Sequence, residues 1–225
     1  MSALDWSSIP GALPFLLQGM GLSLGLLLSA MLGGILLGTL LALLRLARRR
    51  PLAALAGAYV NLFRSVPLVL VIFWFYFLAP FILRRLTGRA DAAVGPLYSA
   101  LVAFTLFEAA YYCEIIRAGI QSVSRGQVAA AQALGMSHGQ VMRLVVLPQA
   151  FRRMVPLLLT QGIILFQDTS LVYVISLSDF LGAAGKIGQR DGRLVELYLF
   201  AAAVYFALCF AASRGVGRLQ RRLRA

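Results

Sequence analysis

The chain has 225 residues, 60% hydrophobic and 13% charged. A soluble domain is about 45–50% apolar and about 25% charged, so this chain carries more apolar surface than one water-soluble core can hide, and lipid is the expected solvent for most of its exterior. The formal charge of +13 would suit nucleic acid if the cations shared a polar face with aromatics between them. Instead they sit between long apolar stretches, as membrane topology requires, and no nucleic-acid partner is expected.

No Lys or Arg precedes the first apolar run, so that run lacks the basic start of a cleavable signal peptide and is expected to be a retained helix. Trp6 to Leu44 is uncharged, longer than the roughly 20 residues of one span. The spacing predicts a helix over about Leu16–Leu44 with an interfacial lead-in. Gly21, Gly25, Ser29 and Gly33 fall four apart in it, with Gly34 and Gly38 beside them, a spacing that lets helix backbones approach closely in lipid. The cluster Arg45–Arg50 and Pro51 end this helix. A second apolar stretch runs from about Ala53 to Leu83, interrupted by Arg64 and Pro67. A third runs from Gly95 to Ile116, a fourth from Met154 to Ser178, and a fifth from about Leu194 to Ser213. The fold class expected is all-α: a polytopic membrane protein of about five transmembrane helices, with residues 1–15 as a periplasmic or interfacial N-terminus, 16–216 as the transmembrane domain and 217–225 as a basic cytoplasmic tail.

The loops alternate in charge. Arg45–Arg50, the Arg117–Arg153 stretch and the tail after Ser213 hold 4, 5 and 5 arginines. The N-terminus, the 84–93 loop and the polar loop Asp179–Arg193 together hold 6 basic residues against Asp5, Asp91, Asp179 and Asp191. Cytoplasmic loops carry the excess of Lys and Arg, so the N-terminus is expected outside and the C-terminus inside. Cys113 and Cys209 lie in apolar stretches without metal or CxxC spacing, and a single histidine, His138, excludes a histidine-cluster metal site.

The polar stretch between spans three and four has its own pattern. Ser124 precedes Gln127 by three, and Ser137 precedes Gln140 by three, two capping-box spacings that open helices. Val128–Leu134 is Ala-rich and helix-favouring, Gly135 can take the left-handed conformation that closes a helix, and Pro148 is expected to stop the second helix. The alanines leave a nearly bare surface that could seat in a groove of a partner protein. An amphipathic hairpin on the membrane surface would need a large apolar face opposite a Lys-rich one, and the first helix has neither.

The stretch GQVAAAQALGMSHGQVMRLVVLPQA resembles the EAA loop of ABC importer permeases, with Ala130–Ala131, Gly135 and Leu147–Pro148 matching the family pattern and Ala129 standing where the family usually has Glu. The resemblance implies that this loop, with Gly126, Ala129, Ala130, Ala131, Gly135, Leu147 and Pro148, is the coupling helix that docks on an ATPase subunit; the missing Glu removes any salt bridge from that position. FRSVPL, EIIRAGIQSVSRGQ and FQDTSLVYVISLSDF resemble the polar amino-acid branch of the family. FEAAYYCEIIRAGI, PLLLTQGIILFQDTSLVYV and IGQRDG are similar to the permeases of glutamate/aspartate importers. The likeness spans essentially the full length. It implies a multi-pass bacterial inner-membrane subunit partnered by a second, homologous or identical permease, two ATPase subunits and an extracytoplasmic amino-acid-binding protein. It also implies transport by alternating access, driven by ATP that the partner subunits use. This chain has no G-x-x-x-x-G-K-[ST] phosphate loop, so it is expected to bind no cofactor and to be no enzyme itself.

Ionisable side chains in the apolar stretches are expected to pair or to line a wet path, because each costs roughly 2.5–3.5 kcal/mol at the bilayer centre. Glu114 lies three residues before Arg117, the spacing of a local helical pair. Arg64, Glu108 and Asp168, with Gln161, Gln167, Thr169 and Ser170, are candidates for the substrate pathway. The plainer alternative is a structural pair between Arg64 and Glu108 or Asp168. Three other functions compete: the same importer with another polar amino acid, such as glutamine or a basic one, a stand-alone secondary transporter, and a membrane-embedded enzyme. The last would need histidines or metal-ligand spacing in the spans, and the secondary transporter would need internal repeats; neither is present in the sequence.

Overall fold

The computed structural model of the protein describes residues 4–47, 49–88 and 94–224, and among these every regular element is helical. Arg48, Arg89 and Asp91, which entered the charge assignment, lie outside the described residues. Five helical stretches are long and apolar enough to cross a membrane: Ser8–Leu46, Leu68–Thr87, Pro96–Gln121, His138–Ile175 and Leu194–Leu223.

Helix α1 (Ser8–Leu46) begins earlier than the expected Leu16. Its leucine-rich run is uncharged up to Arg45, and its two prolines, Pro10 and Pro14, sit near its start. Its buried line is Leu16, Gly19, Ser23, Leu26, Ala30, Gly34, Gly38 and Leu41, steps of three and four that keep one face of a helix. Leu17, Leu28, Leu32 and Leu36 point the other way and are exposed, as a lipid-facing side should be.

The expected small-residue row makes contact only at its end, where a Cβ at Gly33 would lie 2.9 Å from Thr105 Cγ2. Gly21, Gly25 and Ser29 are exposed, and a Cβ added at Gly21 or Gly25 would meet nothing within 4 Å. From Gly33 the contact runs through Gly34 and Gly38 beside it. A Cβ at Gly38 would lie 2.8 Å from the Ala109 carbonyl oxygen and 2.8 Å from Tyr112 Cβ, and one at Gly34 would press on Glu108 and Tyr112. Four-residue spacing alone cannot tell two adjacent glycine rows apart; the partner helix α5 (Pro96–Gln121) decides. It is the central helix, burying Ala100, Ala103, Phe104, Phe107, Ala109, Ala110 and Tyr112.

The second apolar stretch is not one span. Helix α2 (Arg50–Arg64) opens on Pro51 and is amphipathic, with Ala56, Val60 and Phe63 buried. The chain breaks at Ser65–Pro67, because a proline disfavours helical backbone in the residue before it. The span proper is α3 (Leu68–Phe73), a π-helical turn Trp74–Leu78 and α4 (Ala79–Thr87). The expected helix stop at Pro148 also fails. After α6 (Arg125–Ala133) and the short α7 (His138–Gln140), a π-helical turn Val141–Val146 runs without a break into α8 (Leu147–Asp168). Pro148 follows close on that turn, and the wider π turn takes up the register change that a proline inside a continuous helix requires. Thr169–Ile175 then tightens into a 3₁₀ segment.

The stretch expected to be a polar loop, Asp179–Arg193, is mostly helix: α9 (Phe180–Asp191). Phe180, Ala183, Ala184, Ile187 and Gly188 are buried against α1 and α10 (Leu194–Arg224), in a small core with Leu16 and Leu197. α10 continues past the expected Ser213 to Arg224.

Polar contacts gather at the two ends of the bundle. At one, Arg193 reaches Ser7 Oγ (2.6 Å), Ser8 Oγ (2.9 Å) and Asp5 (2.5 Å). At the other, Arg45 meets Glu114 and Arg153 meets Ser122. The N-terminus and the 179–193 segment thus share one end, as five crossings require.

Gly38→Leu is expected to destabilise the purified chain by about 1–3 kcal/mol, the ordinary cost of overpacking. Gly25→Leu should leave the isolated chain unchanged. Heat-induced thiol labelling, which reads exposure of the buried Cys113 and Cys209, measures both.

Candidate functional site

The hairpin between the third and fourth long helices is built by its caps. Ser124 Oγ accepts from the Gln127 N–H at the start of α6. At its end the Gly135 N–H donates to the Gln132 carbonyl (2.9 Å) and the Met136 N–H to the Ala131 carbonyl (3.2 Å). That bond pair closes a helix when the residue after it is left-handed, and Gly135 has φ +79°. Ser137 and Gln140 complete a capping box in both directions, at 2.8 and 3.4 Å. Val123, Ala131, Val141, Val146 and Ala150 form a private core beneath.

Of the residues expected to face a partner, Gly126, Ala129, Ala130, Gly135 and Pro148 are exposed, and Leu147 is half-buried. Ala131 instead turns inward into the hairpin core. Leu134, not among the expected residues, stands 84% exposed beside Gly135. The exposed alanines and Leu134 make a small, shallow, apolar knob carried on a rigid base, since the π turn locks its second helix to α8.

Three arginines converge on Glu114 at the junction of α1, α2 and α5. Arg117 donates from Nε (3.0 Å) and Nη2 (2.6 Å), the local pair expected from the spacing. Arg45 donates from Nη1, and Arg64 Nη1 stands 4.0 Å away. The Arg64 guanidinium also lies over the Tyr111 ring, 5.5 Å from its centroid. The expected pairing of Arg64 with Glu108 or Asp168 does not occur. At the end of α2, Arg64 is turned to Glu114 and Tyr111 instead. Arg45 was missed because a cation in a basic cluster carries a topological signal whether or not it pairs.

Glu108 is fully buried and its Oε1 accepts from Gln161 Nε2 (3.1 Å), tying α5 to α8. Its Oε2 has no hydrogen-bond partner among the described residues. Thr169 is also buried, and its hydroxyl donates to the Phe166 carbonyl (2.7 Å), so it serves the 3₁₀ turn rather than an open path. Gln167 and Ser170 line a cavity of about 860 Å³ between the end of α8, α9 and α10. Asp168 is half-buried and does not line that cavity. The candidate pathway residues thus divide into a buried pair, Glu108–Gln161, and a cavity pair, Gln167–Ser170.

Asp179 caps α9: Oδ1 accepts from the Gly182 N–H (3.0 Å) and Oδ2 from the Leu181 N–H (3.1 Å). Burial pushes its carboxyl up to about 6, against the pull of those N–H groups. The Phe180 N–H donates to Ser23 Oγ (3.2 Å), and Gly19 lets the chain pass, since a Cβ there would lie 2.7 Å from the Asp179 carbonyl oxygen. α9 is thereby fastened into the bundle against α1.

This architecture of five long apolar helices with a rigid polar hairpin is that of a transporter's membrane component. Residues 34–225 match the family described as binding-protein-dependent transport system inner membrane component, and the chain belongs to that family. It is 57% identical over 222 residues to the glutamate/aspartate import permease protein GltK of Escherichia coli O157:H7, covering 99% of both chains. It is 36% identical over 213 residues to the probable glutamine ABC transporter permease protein GlnP of Bacillus subtilis, covering 93% of this chain and 94% of that one. Among solved structures, a crystal structure of an amino acid ABC transporter with histidines superposes with a TM-score of 0.89 at 29% identity, over 98% of this chain and 100% of that chain. An inward-facing structure of the MetNI methionine ABC transporter superposes with a TM-score of 0.74 at 20% identity and shares the fold. The protein is a multi-pass inner-membrane protein with the type-1 ABC permease fold.

Glu114→Gln leaves Arg45 and Arg117 without their carboxylate. It should lower stability by about 1–3 kcal/mol, the cost of removing a partner from charged hydrogen bonds that are mostly buried. Arg64→Gln, at 4.0 Å and 44% exposed, should cost no more than about 1 kcal/mol. Thermal unfolding of the purified variants separates the two.

Proposed function

We propose that the chain is the permease subunit of an ATP-binding-cassette importer that carries polar amino acids, glutamate and aspartate foremost, into the cell. The observation that carries this reading is the 57% identity across 99% of both chains with a glutamate/aspartate import permease. The amino acid ABC transporter structure, at a TM-score of 0.89, supports the substrate class.

The proposed assembly has a second permease chain, two ATPase subunits and an extracytoplasmic amino-acid-binding protein. Five helices are few for enclosing a polar path, and a second permease would complete it. The orientation proposed puts the N-terminus and α9 outside and the hairpin and C-terminus inside, following the arginine excess at the hairpin end. ATP would be bound and hydrolysed by the ATPase subunits. Their closure would push on the exposed surface of Gly126, Ala129, Ala130, Leu134 and Gly135. The caps, the hairpin core and the continuous join into α8 suit that surface to move as a rigid body with α8, and the Glu108–Gln161 bond would pass the motion to α5. Ala129, in place of the family's usual Glu, leaves this contact to shape and apolar burial alone. The substrate path is proposed to run past Gln167 and Ser170, and Glu108 and Gln161 are proposed to hold the helices that form its wall.

Ala130→Trp tests the coupling. In the reconstituted complex with ATPase and binding protein, it should reduce substrate-stimulated ATP hydrolysis by about tenfold or more, as loss of a central contact does, while the permease still inserts and pairs. Unchanged stimulation would refute docking at this surface. Uptake of glutamine but neither glutamate nor aspartate by the unaltered complex would move the substrate assignment to glutamine.

A further inference from the structure

The cavity between α8, α9 and α10 has a chemical bias. Its volume of about 860 Å³ lies within the range of small-molecule sites. Its wall carries the amides of Gln167 and Gln189 and the hydroxyl groups of Ser170 and Tyr198. Among the described residues, Lys186 is the charged side chain of the wall, and it is the only lysine in the sequence.

The placement of Lys186 follows from the helix it stands on. Gly182, Lys186 and Gln189 are spaced four and three apart, so they share one face of α9, and all three line the cavity. The opposite face, Ala183, Ala184 and Ile187, is packed in the bundle. Gly185 lets α10 come close, since a Cβ there would lie 3.0 Å from the Tyr198 hydroxyl. The Lys186 ammonium donates to Ser178 Oγ, one of three donors it can offer.

Neighbouring charges are engaged elsewhere. Asp179 is buried and holds the N–H groups of Leu181 and Gly182. Arg190 pairs with Asp191, and Arg193 pairs with Asp5. The field inside the cavity is therefore that of a single cation among neutral polar groups.

We infer that Lys186 receives a carboxylate of an acidic amino acid in this cavity and so sets the charge preference of the permease. This rests on the importer reading proposed above and names a determinant within it. Glutamate and glutamine have nearly the same shape, so an amide-lined pocket without a cation would discriminate poorly between them. A cation placed against the side-chain carboxylate supplies the difference, because hydrogen bonds to charged groups are the stronger kind.

The test uses the purified complex of permeases and ATPases without binding protein, and equilibrium binding of radiolabelled glutamate and glutamine. Lys186→Gln should weaken glutamate binding by about tenfold, the loss of one charge-assisted bond, and change glutamine binding by less than about twofold, within the scatter of an exposed substitution. Lys186→Arg should restore most of the glutamate affinity. Lys186→Ala provides a second charge-free variant, and unstimulated ATP hydrolysis reports assembly for each. The inference is overturned if glutamate binding survives in both charge-free variants, if both amino acids lose affinity equally, or if the unaltered complex binds no glutamate while still transporting it. Failure of the unaltered, fully supplied complex to take up any acidic amino acid would instead overturn the acidic-substrate assignment, leaving the two results distinguishable.

Discussion

Contact between α1 and α5 without intervening side chains is the constraint on which the other placements rest. In lipid, apolar helices gain little by hiding from one another, so they associate where small residues let their backbones touch. Gly34 and Gly38 provide that surface, and Gly38 sits directly on the Ala109 carbonyl and Tyr112. Any larger residue would push α1 away from the central helix. The same face of α1 continues through Ala30, Ser23 and Gly19 to the other end of the bundle. There Gly19 and Ser23 receive the chain at Asp179–Phe180 and fasten α9. One helix face thus aligns both ends: the arginine cluster around Glu114 and the wall of the cavity.

The two ends are built for different work. At the hairpin end, polar groups are satisfied locally. Caps close α6, a capping box opens α7, and Glu114 binds cations from α1 and α5. That arrangement favours stiffness, and the π turn extends it by joining the hairpin to α8 with no loop between them. At the other end, the 3₁₀ segment, the left-handed Ser176 (φ 65°) and α9 fold the chain back over an open cavity of mixed apolar and polar wall. Rigidity at the hairpin and room at the cavity are the complementary demands of the importer proposed here, and α8 links the two ends along its length.

Some of this was legible in residue order. The five long helices, the cap at Ser124, the capping box at Ser137 (the Ser124–Gln127 pair forms only the first half of one), the left-handed Gly135 and the Glu114–Arg117 pair all follow from local chemistry. Each depends on residues a few positions apart, so spacing suffices. Other features were not legible. The face of α1 that packs, the partners Arg45 and Glu114, and the inward turn of Ala131 depend on residues 69 or more positions away, or on the hairpin closing on itself. The α9 helix was hidden by its mixed composition: Gly, Lys, Gln and Arg read as a polar loop, although Ala183, Ala184 and Ile187 mark a buried face once α1 and α10 are placed beside it.

What the sequence determined by itself is the solvent of this protein and the number of its long apolar helices, because hydropathy, charge placement and capping act over one helix or one turn. It also determined the family, through motifs that run along the chain. Only the tertiary structure decided which glycines of α1 are contacts, which carboxylate holds the arginines, and that Lys186 faces a cavity. Those outcomes turn on which helix lies beside which, and in an apolar solvent that choice is made by close fit between distant segments rather than by any property a single segment displays.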